Sequence, residues 1–432
     1  MTMNTDFRSI LSSHARRYPL TRPADLLKLI HQNVFGSGHL APSPEIVCKR
    51  LADEFASCDK TEPFVETLGE CSRVYIGSAI PATAADSAAA CGAPDSSDCR
   101  GANDNIIDNI AGFKNRPADE RLLDIIARLF ILTADRFPCD YAHADESSRL
   151  QLNECINTAR EVVRDGCFGF GIDEFDSAAA EFAAAGYPAQ SHSDIYRNAY
   201  RPAYRVVDSY FARLIPCLYA ISRLLDEKSG QVRVVIDGRA ASGKTTAAEL
   251  IAGYFSATYT YAYTCAYTCA YPSTHPDAYP RVCPDTRSVT TDIIHADDFF
   301  LPPSLRTPER LNEVGGNLHR ERFYDEIIAN LDSPDGFSYR VFECSKMDYA
   351  PEPRKVKPCR LLIFEGAYSL HPDFGDYYDL AIFSDISPDE QRRRILSRNG
   401  ERMHKRFEQE WIPMEEKYFD GFDIRQKCKI TI

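Results

Sequence analysis

The sequence has no apolar run long enough to suggest a membrane-spanning helix. Its first stretch, MTMNTDFRSILSSHARRYPL, also lacks the long apolar core of a secretion signal. These two absences predict a protein that neither crosses nor binds a membrane and that is not secreted.

The 15 cysteines form no CxxC pair. The closest spacings, Cys91 to Cys99 and Cys265 to Cys269, match no common zinc pattern. An odd number of cysteines without a secretion signal indicates reduced thiols. The pattern therefore predicts a cytoplasmic protein without a structural metal site.

The sequence has fewer basic than acidic residues. It contains 50 lysines and arginines and 63 aspartates and glutamates, which gives a net charge of −13. Nucleic-acid-binding proteins need a basic face to displace counterions, so no nucleic-acid partner is expected. The 44% hydrophobic and 26% charged content is that of a soluble globular protein. A length of 432 residues exceeds one ordinary core, so two domains are predicted.

Residues 1–226 are predicted to form a mostly helical first domain. In residues 24–35, Leu26, Leu27, Ile30 and Val34 share one helical face. Further helices are predicted at 44–57, 121–137, 147–164, 173–185 and 193–225, the last interrupted by Pro202 and Pro216, with a strand at 71–76. Residues 82–105, rich in Ala, Ser, Asp and Gly, are predicted to be a disordered insertion. The polar stretch 226–230 is the predicted domain boundary.

The strongest motif lies in the second domain, predicted at 231–432. An apolar, β-branched run at 232–236 precedes a full match to the phosphate-loop pattern G-x-x-x-x-G-K-[ST], and good helix formers follow it. In this pattern glycines let backbone amides surround phosphate oxygens, and the new helix directs its positive end at the anion. The predicted nucleotide-binding residues are Gly238, Ala240, Ala241, Ser242, Gly243, Lys244, Thr245 and Thr246.

The rest of the second domain alternates strands with helices. Strands are predicted at 288–296, 360–364, 378–383 and 427–432, and helices at 321–331, 389–398 and 401–419. Residues 258–284, which contain a short tandem repeat, are predicted to be an inserted loop. This alternation predicts an α/β fold of three layers around a mainly parallel sheet.

Charged residues follow the predicted strands at the positions where open α/β sheets place their sites. Asp297 and Asp298 end one strand, and Glu365 ends another. Carboxylates at such positions deprotonate a substrate hydroxyl or bind Mg²⁺. Arg394 and Arg398, four residues apart on a predicted helix, share a face that suits a transferring phosphoryl group. A polar turn and a solvated cationic face are the alternative interpretations.

The phosphate loop, Asp297-Asp-Phe-Phe300, Phe364-Glu-Gly366 and the arginine helix, in this order, resemble the uridine kinase family of phosphate-loop kinases, which belongs with phosphoribulokinase and pantothenate kinase. The resemblance covers the second domain, from Gln231 to the C-terminus. It implies an ATP-dependent, Mg²⁺-dependent kinase for a small hydroxylated molecule.

The resemblance also implies residue roles. Asp297 matches the catalytic base, Lys244 the phosphate-binding lysine, and Arg394 and Arg398 the lid. The implied metal ligands are Thr245, Asp297 and Glu365. At the acceptor site the match changes, because Leu318 stands where the family has its ribose-binding acid. Candidate acceptor-binding residues are Asp298, Asn317, His319, Arg322, Tyr339 and Arg340.

Two strings in the first half are distinctive but resemble no family. One runs from Gln32 to His39 (QNVFGSGH), in which two glycines allow close backbone approach so that His39 could face a ligand, although a helix-capping loop with an incidental histidine is the better interpretation. The other is a polar-aromatic cluster, Tyr196, Tyr200, Arg201, Tyr204 and Arg205, which suits either a helix packed on the second domain or part of its acceptor pocket.

Two functions from different classes follow. The first is a phosphotransferase that moves the γ-phosphate of ATP to a small-molecule hydroxyl. The second is a nucleotide-dependent switch that hydrolyses ATP slowly while the first domain binds a partner; RNA binding is disfavoured by the acidic balance. The identity of the acceptor, the choice between ATP and GTP, and the oligomeric state are open at this point.

Overall fold

The computed structural model describes residues 3–40, 44–58, 62–76, 107–109, 118–138, 140–256 and 289–432. The described residues divide into two compact units, one up to Ile215 and one from Pro216 onward. The predicted insertions at 82–105 and 258–284 lie outside the described residues. Among the helices described, none has the length and apolarity needed to cross a membrane.

The first unit combines helices with an antiparallel sheet. Its helices are α1 Met3–Arg17, α2 Pro23–Phe35, α3 Pro44–Ser57, α4 Glu120–Arg136, α5 Glu146–Arg164, α6 Ile172–Ala184 and α7 Asp194–Tyr200. Its strands are β1 Phe64–Thr67, β2 Cys71–Tyr75, β3 Ile107–Asn109 and β4 Tyr204–Asp208, in the order β3-β1-β2-β4. The strand predicted at 71–76 is observed as β2, whereas the other three strands of this sheet were not predicted.

The core of the first unit lies among α1, α2, α5 and α6. The apolar face predicted for α2 is observed, since Leu26 and Ile30 are fully buried in this cluster with Leu152 of α5 and Phe175 of α6. Gly36 ends α2 with a φ of 65°, a conformation that glycine adopts without strain. The first four residues of the QNVFGSGH string are thus the last turn of α2, and Gly36 is its C-cap.

The prediction of helix across 193–225 is wrong in two places. Residues Tyr204–Asp208 form strand β4, which pairs antiparallel with β2. Burial of Val206 and Val207 against that partner overrides the local helical tendency. The next helix, α8 (Ser209–Glu227), continues through Pro216. Complete burial of neighbouring side chains compensates for the one hydrogen bond that proline removes.

The second unit is built on a five-stranded parallel sheet, which confirms the predicted α/β class and mainly parallel sheet. Its strands are β5 Val232–Gly238, β6 Thr291–His295, β11 Leu361–Glu365, β12 Leu380–Ser384 and β13 Ile430–Thr431, in the order β13-β12-β5-β11-β6. Two small antiparallel ribbons pair β7 Phe337–Tyr339 with β10 Arg354–Val356, and β8 Phe342–Glu343 with β9 Asp348–Tyr349.

Helices connect these strands. They are α9 Lys244–Phe255, α10 Pro308–Asn312, α11 Arg320–Glu326, α12 Pro388–Arg406, α13 Ile412–Gly421 and α14 Ile424–Lys427. The predicted break at Asn399-Gly400 is observed inside α12, where Gly400 leaves helical geometry with a φ of 73°. The helix predicted at 321–331 ends early at Glu326 and continues as a 3₁₀ turn, Ile328–Asn330.

Parallel pairing brings the carboxyl ends of four strands to one edge of this sheet. Glu365, the last residue of β11, pairs with Ile236 of β5 and with His295 of β6. Ser384 of β12 pairs with Gly238, where β5 enters the phosphate loop. The strand order reverses on the two sides of β5. Open α/β sheets bind their ligands in the crevice outside the carboxyl ends of the strands at such a point.

Candidate functional site

The phosphate loop has the backbone geometry that its glycines allow. Gly238 has a φ of 141°, and a side chain there would clash with the carbonyl oxygen of Ser384 on the next strand. Gly243 has a φ of 97° and is the N-cap of α9, whose positive end therefore faces the loop. Ala241 adopts a left-handed φ of 58° without being glycine, which marks the loop as strained.

Lys244, the first residue of α9, lies back across this loop. Its Nζ donates hydrogen bonds to the carbonyl oxygens of Gly238 at 2.9 Å and Arg239 at 2.8 Å. Ser242 is buried, whereas Thr245 and Thr246 are exposed on the first turn of α9. The predicted loop thus presents an ammonium group, two hydroxyls and a helix N-terminus together.

Two side chains from the C-terminal helices brace the loop, and sequence reasoning identified neither as a site residue. Gln391 Nε2 donates to the carbonyl oxygen of Ala240 at 3.0 Å. The amide of Ala240 in turn donates to Glu415 Oε2 at 2.9 Å. Both side chains are buried. Each polar group of the Ala240 peptide therefore has a fixed partner that lies far along the chain.

Asp237, the last buried residue before the loop, holds the start of the loop in position through hydrogen bonds. Its carboxylate accepts hydrogen bonds from the amides of Gly238 at 2.7 Å and Leu370 at 2.9 Å, and from the Tyr418 hydroxyl at 2.8 Å. Burial raises the pKa of Asp237, and these hydrogen bonds oppose that shift. A lone acid at the end of an apolar strand was the only sequence signal for this role.

Glu365 links the loop helix to the neighbouring strand. Its Oε2 accepts a hydrogen bond from Thr245 Oγ1 at 3.1 Å, and its Oε1 lies 2.5 Å from His295 Nδ1. This hydrogen bond is the main cause that raises the pKa of His295. Gly366, with a φ of 132°, allows the close approach, since a Cβ there would lie 2.8 Å from the Cβ of Ala296.

Asp297 follows β6 in a 3₁₀ turn, Ala296–Phe299. The side chain is open to solvent, yet many protein atoms surround its carboxylate. This desolvation, together with the charges of Glu365 and Asp298, raises the pKa of Asp297, while Lys244 acts in the opposite direction. A solvent-accessible carboxylate with a raised pKa has the properties of a general base.

The oxygen atoms at this edge fit Mg²⁺. Where Mg²⁺ binds with phosphates, it usually takes one or two carboxylates, and substrate oxygens and water supply the rest. The Thr245 hydroxyl donates a hydrogen bond to the Glu365 carboxylate. Asp297 lies close enough to Glu365 for the charge of Glu365 to raise its pKa. In the part of the chain that the structure describes, no three His, Cys, Asp or Glu side chains are grouped to hold a metal alone. The donor set therefore suits an ion shared with phosphate.

The two predicted lid arginines differ in position. Arg394 donates to Glu390 Oε1 at 2.7 Å and contacts the carbonyl oxygen of Ala241 in the phosphate loop at 3.3 Å. Arg398 is exposed, and its Nε donates to the side chain of Asn399 at 2.9 Å. The structure brings only Arg394 to the loop.

One predicted acceptor residue, Tyr339, holds the side chain of another, Asp298, in place. Tyr339, with 1% of its surface exposed, donates its hydroxyl to Asp298 Oδ2 at 2.9 Å and accepts from Arg354 at the same distance. Arg354 also pairs with Asp292 at 2.9 Å. This hydrogen-bonded chain fixes the Asp298 side chain beside Asp297.

The remaining acceptor candidates have varied surroundings. The buried Arg322 donates to the carbonyl oxygens of Asp298 at 2.5 Å and Arg340 at 2.8 Å. Arg340 is exposed and pairs with Glu326 at 2.6 Å.

Leu318 and its neighbours lie beside the Asp297 turn. Leu318 is fully buried and bridges to Phe300, so it is a core residue. The half-buried Asn317 and His319 flank it, and burial lowers the pKa of His319. Binding of an acceptor by these residues stays a prediction.

No protein-family model and no curated protein matches this chain. Among solved structures, it is similar to a possible uridine kinase from Bacillus stearothermophilus, at 14% identity and a TM-score of 0.32, covering 49% of this chain and 96% of that one. It is also similar to a candidate fructose transport system kinase from Silicibacter sp. TM1040, at 18% identity and a TM-score of 0.34, covering 50% of this chain and 98% of that one. Both similarities extend over about half of the chain, at low identity and low TM-score.

Proposed function

We propose that the chain is an ATP-dependent phosphotransferase that moves the γ-phosphate to a hydroxyl of a small molecule. The observation that carries this proposal is the meeting of three groups at one sheet edge. They are a phosphate loop with its lysine, the Thr245–Glu365 pair, and an accessible carboxylate of raised pKa at Asp297. A site that only binds a nucleotide needs no proton acceptor, so the raised pKa of this carboxylate favours a transfer reaction.

The loop and Lys244 would bind the triphosphate. The loop amides and the N-terminus of α9 attract phosphate oxygens, and the Lys244 ammonium neutralises part of their charge. Thr245, Glu365 and Asp297 would hold Mg²⁺, which when bound neutralises charge on the phosphates. His295 keeps the Glu365 carboxylate oriented towards Thr245.

Asp297 would act as the base. As the acceptor hydroxyl oxygen forms its bond to the γ-phosphorus, the bond from phosphorus to the β–γ bridging oxygen breaks, and the hydroxyl proton passes to Asp297. ADP leaves with the bridging oxygen. Most of the rate enhancement comes from positioning and charge stabilisation, and Arg394 at the loop supplies positive charge near the transferring group.

The test is Mg²⁺-ATP turnover by the full chain against nucleosides, sugars, sugar phosphates and pantothenate. Stimulation of ADP release by one compound, with formation of its phosphorylated product, is the expected result. Slow hydrolysis that none of the compounds stimulates would contradict the kinase and favour the nucleotide-dependent switch.

The arginines provide a separate prediction. Arg394→Gln is expected to lower turnover by about 10²-fold, the usual cost of losing one charge-stabilising donor. Arg398→Gln should stay near the parent rate, because Arg398 is exposed and contacts only Asn399 among the described side chains. Steady-state kcat with the identified acceptor distinguishes them, and equal losses in both variants would mean that the helix acts as a unit.

A further inference from the structure

The two unassigned strings of the first half come together at one cavity in the first unit. Gln32 and Ser37 of the QNVFGSGH string and Tyr204 and Arg205 of the polar-aromatic cluster line a cavity of about 260 Å³. A neighbouring hollow that is lined by His39 and Arg201 shares the walls formed by Lys28, Leu40, His192 and Pro202. Segments far apart in the sequence thus build one continuous cleft, which the proposed kinase reaction does not use.

Positive charge dominates this cleft in a chain whose net charge is −13. Among the described lining residues, the cations are Lys28, Arg50, Arg197, Arg201 and Arg205. Glu54 is the only acid among them, and Arg205 already engages it through two hydrogen bonds of 2.8 and 3.1 Å. Arg197 pairs with Asp194, which does not line the cleft. Lys28, Arg50 and Arg201 remain as an excess of positive charge at one concave surface, which suits an anion.

Three of these cations are available to a ligand. Within the described part of the chain, Arg50 and Arg201 have no ion pair, and both are exposed. Lys28 Nζ donates to the carbonyl oxygen of Gln190 at 2.6 Å and forms no ion pair with a described residue, although the charge of Asp25 acts on it. Burial and the charge of Arg73 lower the pKa of Lys28 to about 8. An anion beside Lys28 would offset the cost of burying its ammonium group.

The inner wall offers oriented hydrogen-bonding groups. Asp25 Oδ1 lies 3.0 Å from His192 Nδ1, and His192 Nε2 lies 2.7 Å from the Tyr204 hydroxyl. Since a carboxylate only accepts, His192 carries its proton on Nδ1 and accepts from Tyr204 at Nε2. Burial holds the pKa of His192 at about 4, so the ring is neutral at pH 7. The Gln32 amide lies 3.2 Å from the same hydroxyl, whose position is therefore fixed.

Ser37 supplies an independent sign of a ligand. Its side chain is 3% exposed and lines the cavity, and its hydroxyl has no hydrogen-bond partner among the described residues. An unsatisfied buried hydroxyl is costly and is normally satisfied by something that occupies the adjoining space.

We infer that this cleft binds a small organic phosphate monoester. The dianionic phosphate would pair with Lys28, Arg50 and Arg201, and the hydroxyl groups of the ester would meet Ser37, Gln32 and Tyr204. A phosphate matches three cations better than a single carboxylate does. The volume of the cavity suits a compound with a few carbon atoms. This site is separate from the phosphate loop and would give the first unit a binding role of its own.

The test uses the full chain with Lys244→Ala, which weakens phosphate binding at the loop. Calorimetric titration with glycerol 3-phosphate and with inorganic phosphate is compared with glycerol and with acetate. We expect binding of the two phosphates but of neither control. Adding Arg50→Gln or Arg201→Gln should weaken phosphate binding about tenfold or more, the usual effect of losing one charged hydrogen bond.

The matched control is Arg160→Gln in the same background. Arg160 lies on α5, pairs with Asp176 at 2.6 Å, and does not line the cleft. Equal weakening by Arg160→Gln would show unspecific attraction and overturn the proposal. So would an unchanged affinity after Arg50→Gln and Arg201→Gln, or equal binding of acetate. These results leave the kinase proposal untouched, because Mg²⁺-ATP turnover is measured with Lys244 intact.

Discussion

Replacing Asp297 with asparagine is expected to lower phosphotransfer by about 10³-fold, within the range that general-base catalysis contributes. Asparagine has the same shape but cannot accept the proton of the acceptor hydroxyl. The carboxylate lies after β6, outside the loop that would hold the triphosphate. The dissociation constant for ATP, measured without Mg²⁺ because Asp297 would also help to hold the metal, should therefore change little. Single-turnover rates and equilibrium binding of ATP, measured on the same preparation, test both statements.

Asp298→Asn is the matched control for this experiment. Asp298 Oδ2 accepts from the buried Tyr339 hydroxyl, and an asparagine oxygen can still accept that hydrogen bond. We expect a small loss of turnover and of stability to urea. Wild-type turnover in Asp297→Asn would remove Asp297 as the base. A larger loss in Asp298→Asn would transfer that role to Asp298.

The parts of this site that follow from the sequence are those set by local chemistry. The phosphate loop needs glycine at 238 and 243 because the backbone there has positive φ. The acids at 297 and 365 follow short apolar runs, and parallel strands place such residues at one edge. A strand–loop–helix pattern and acids at strand ends are both visible in a short window of sequence, which is why they were predictable.

The side chains that hydrogen-bond to Ala240 of the phosphate loop cannot be recognised from a short window of sequence. Glu415 lies in a helix rich in acids, and nothing local distinguishes it from Glu416, yet only Glu415 accepts from the Ala240 amide. Gln391 likewise reads as one more polar residue beside a row of arginines. Their roles depend on tertiary contacts with a loop that lies far earlier in the chain. Strand β4 was missed for the same reason, since its partner β2 is also distant in sequence.

Glu415→Gln is expected to stabilise the protein at alkaline pH. Burial is the main cause that raises the pKa of Glu415 from the ordinary 4.5 to about 7. Asp297 and Asp237 add to the shift, while Lys244 and the Ala240 amide oppose it. Between these two values the folded chain holds a proton that the unfolded chain releases. The contribution of the protonated Glu415 to the stability of the parent is therefore complete below pH 4.5 and is lost as the pH rises from there through 7. The difference between these two pKa values corresponds to roughly 3 kcal/mol of unfolding free energy.

Glutamine keeps an oxygen for the Ala240 amide but does not ionise. The free energy of unfolding of Glu415→Gln should therefore exceed that of the parent by up to about 3 kcal/mol at pH 8, and by much less at pH 5. Urea denaturation at the two pH values measures this. Glu416→Gln is the control, because Glu416 is half-buried and pairs with Arg239. An equal alkaline gain in Glu416→Gln would reflect only the reduced net charge.

The same charge acts on the loop that would bind the nucleotide. Above pH 7 the ionised Glu415 places a negative charge at the Ala240 amide and near Lys244. The triphosphate would have to compete with this carboxylate for both groups. ATP should therefore bind more tightly to Glu415→Gln than to the parent at pH 8, with the two affinities converging towards pH 5.5. A constant affinity ratio across this range would mean that Glu415 braces the loop without competing for it.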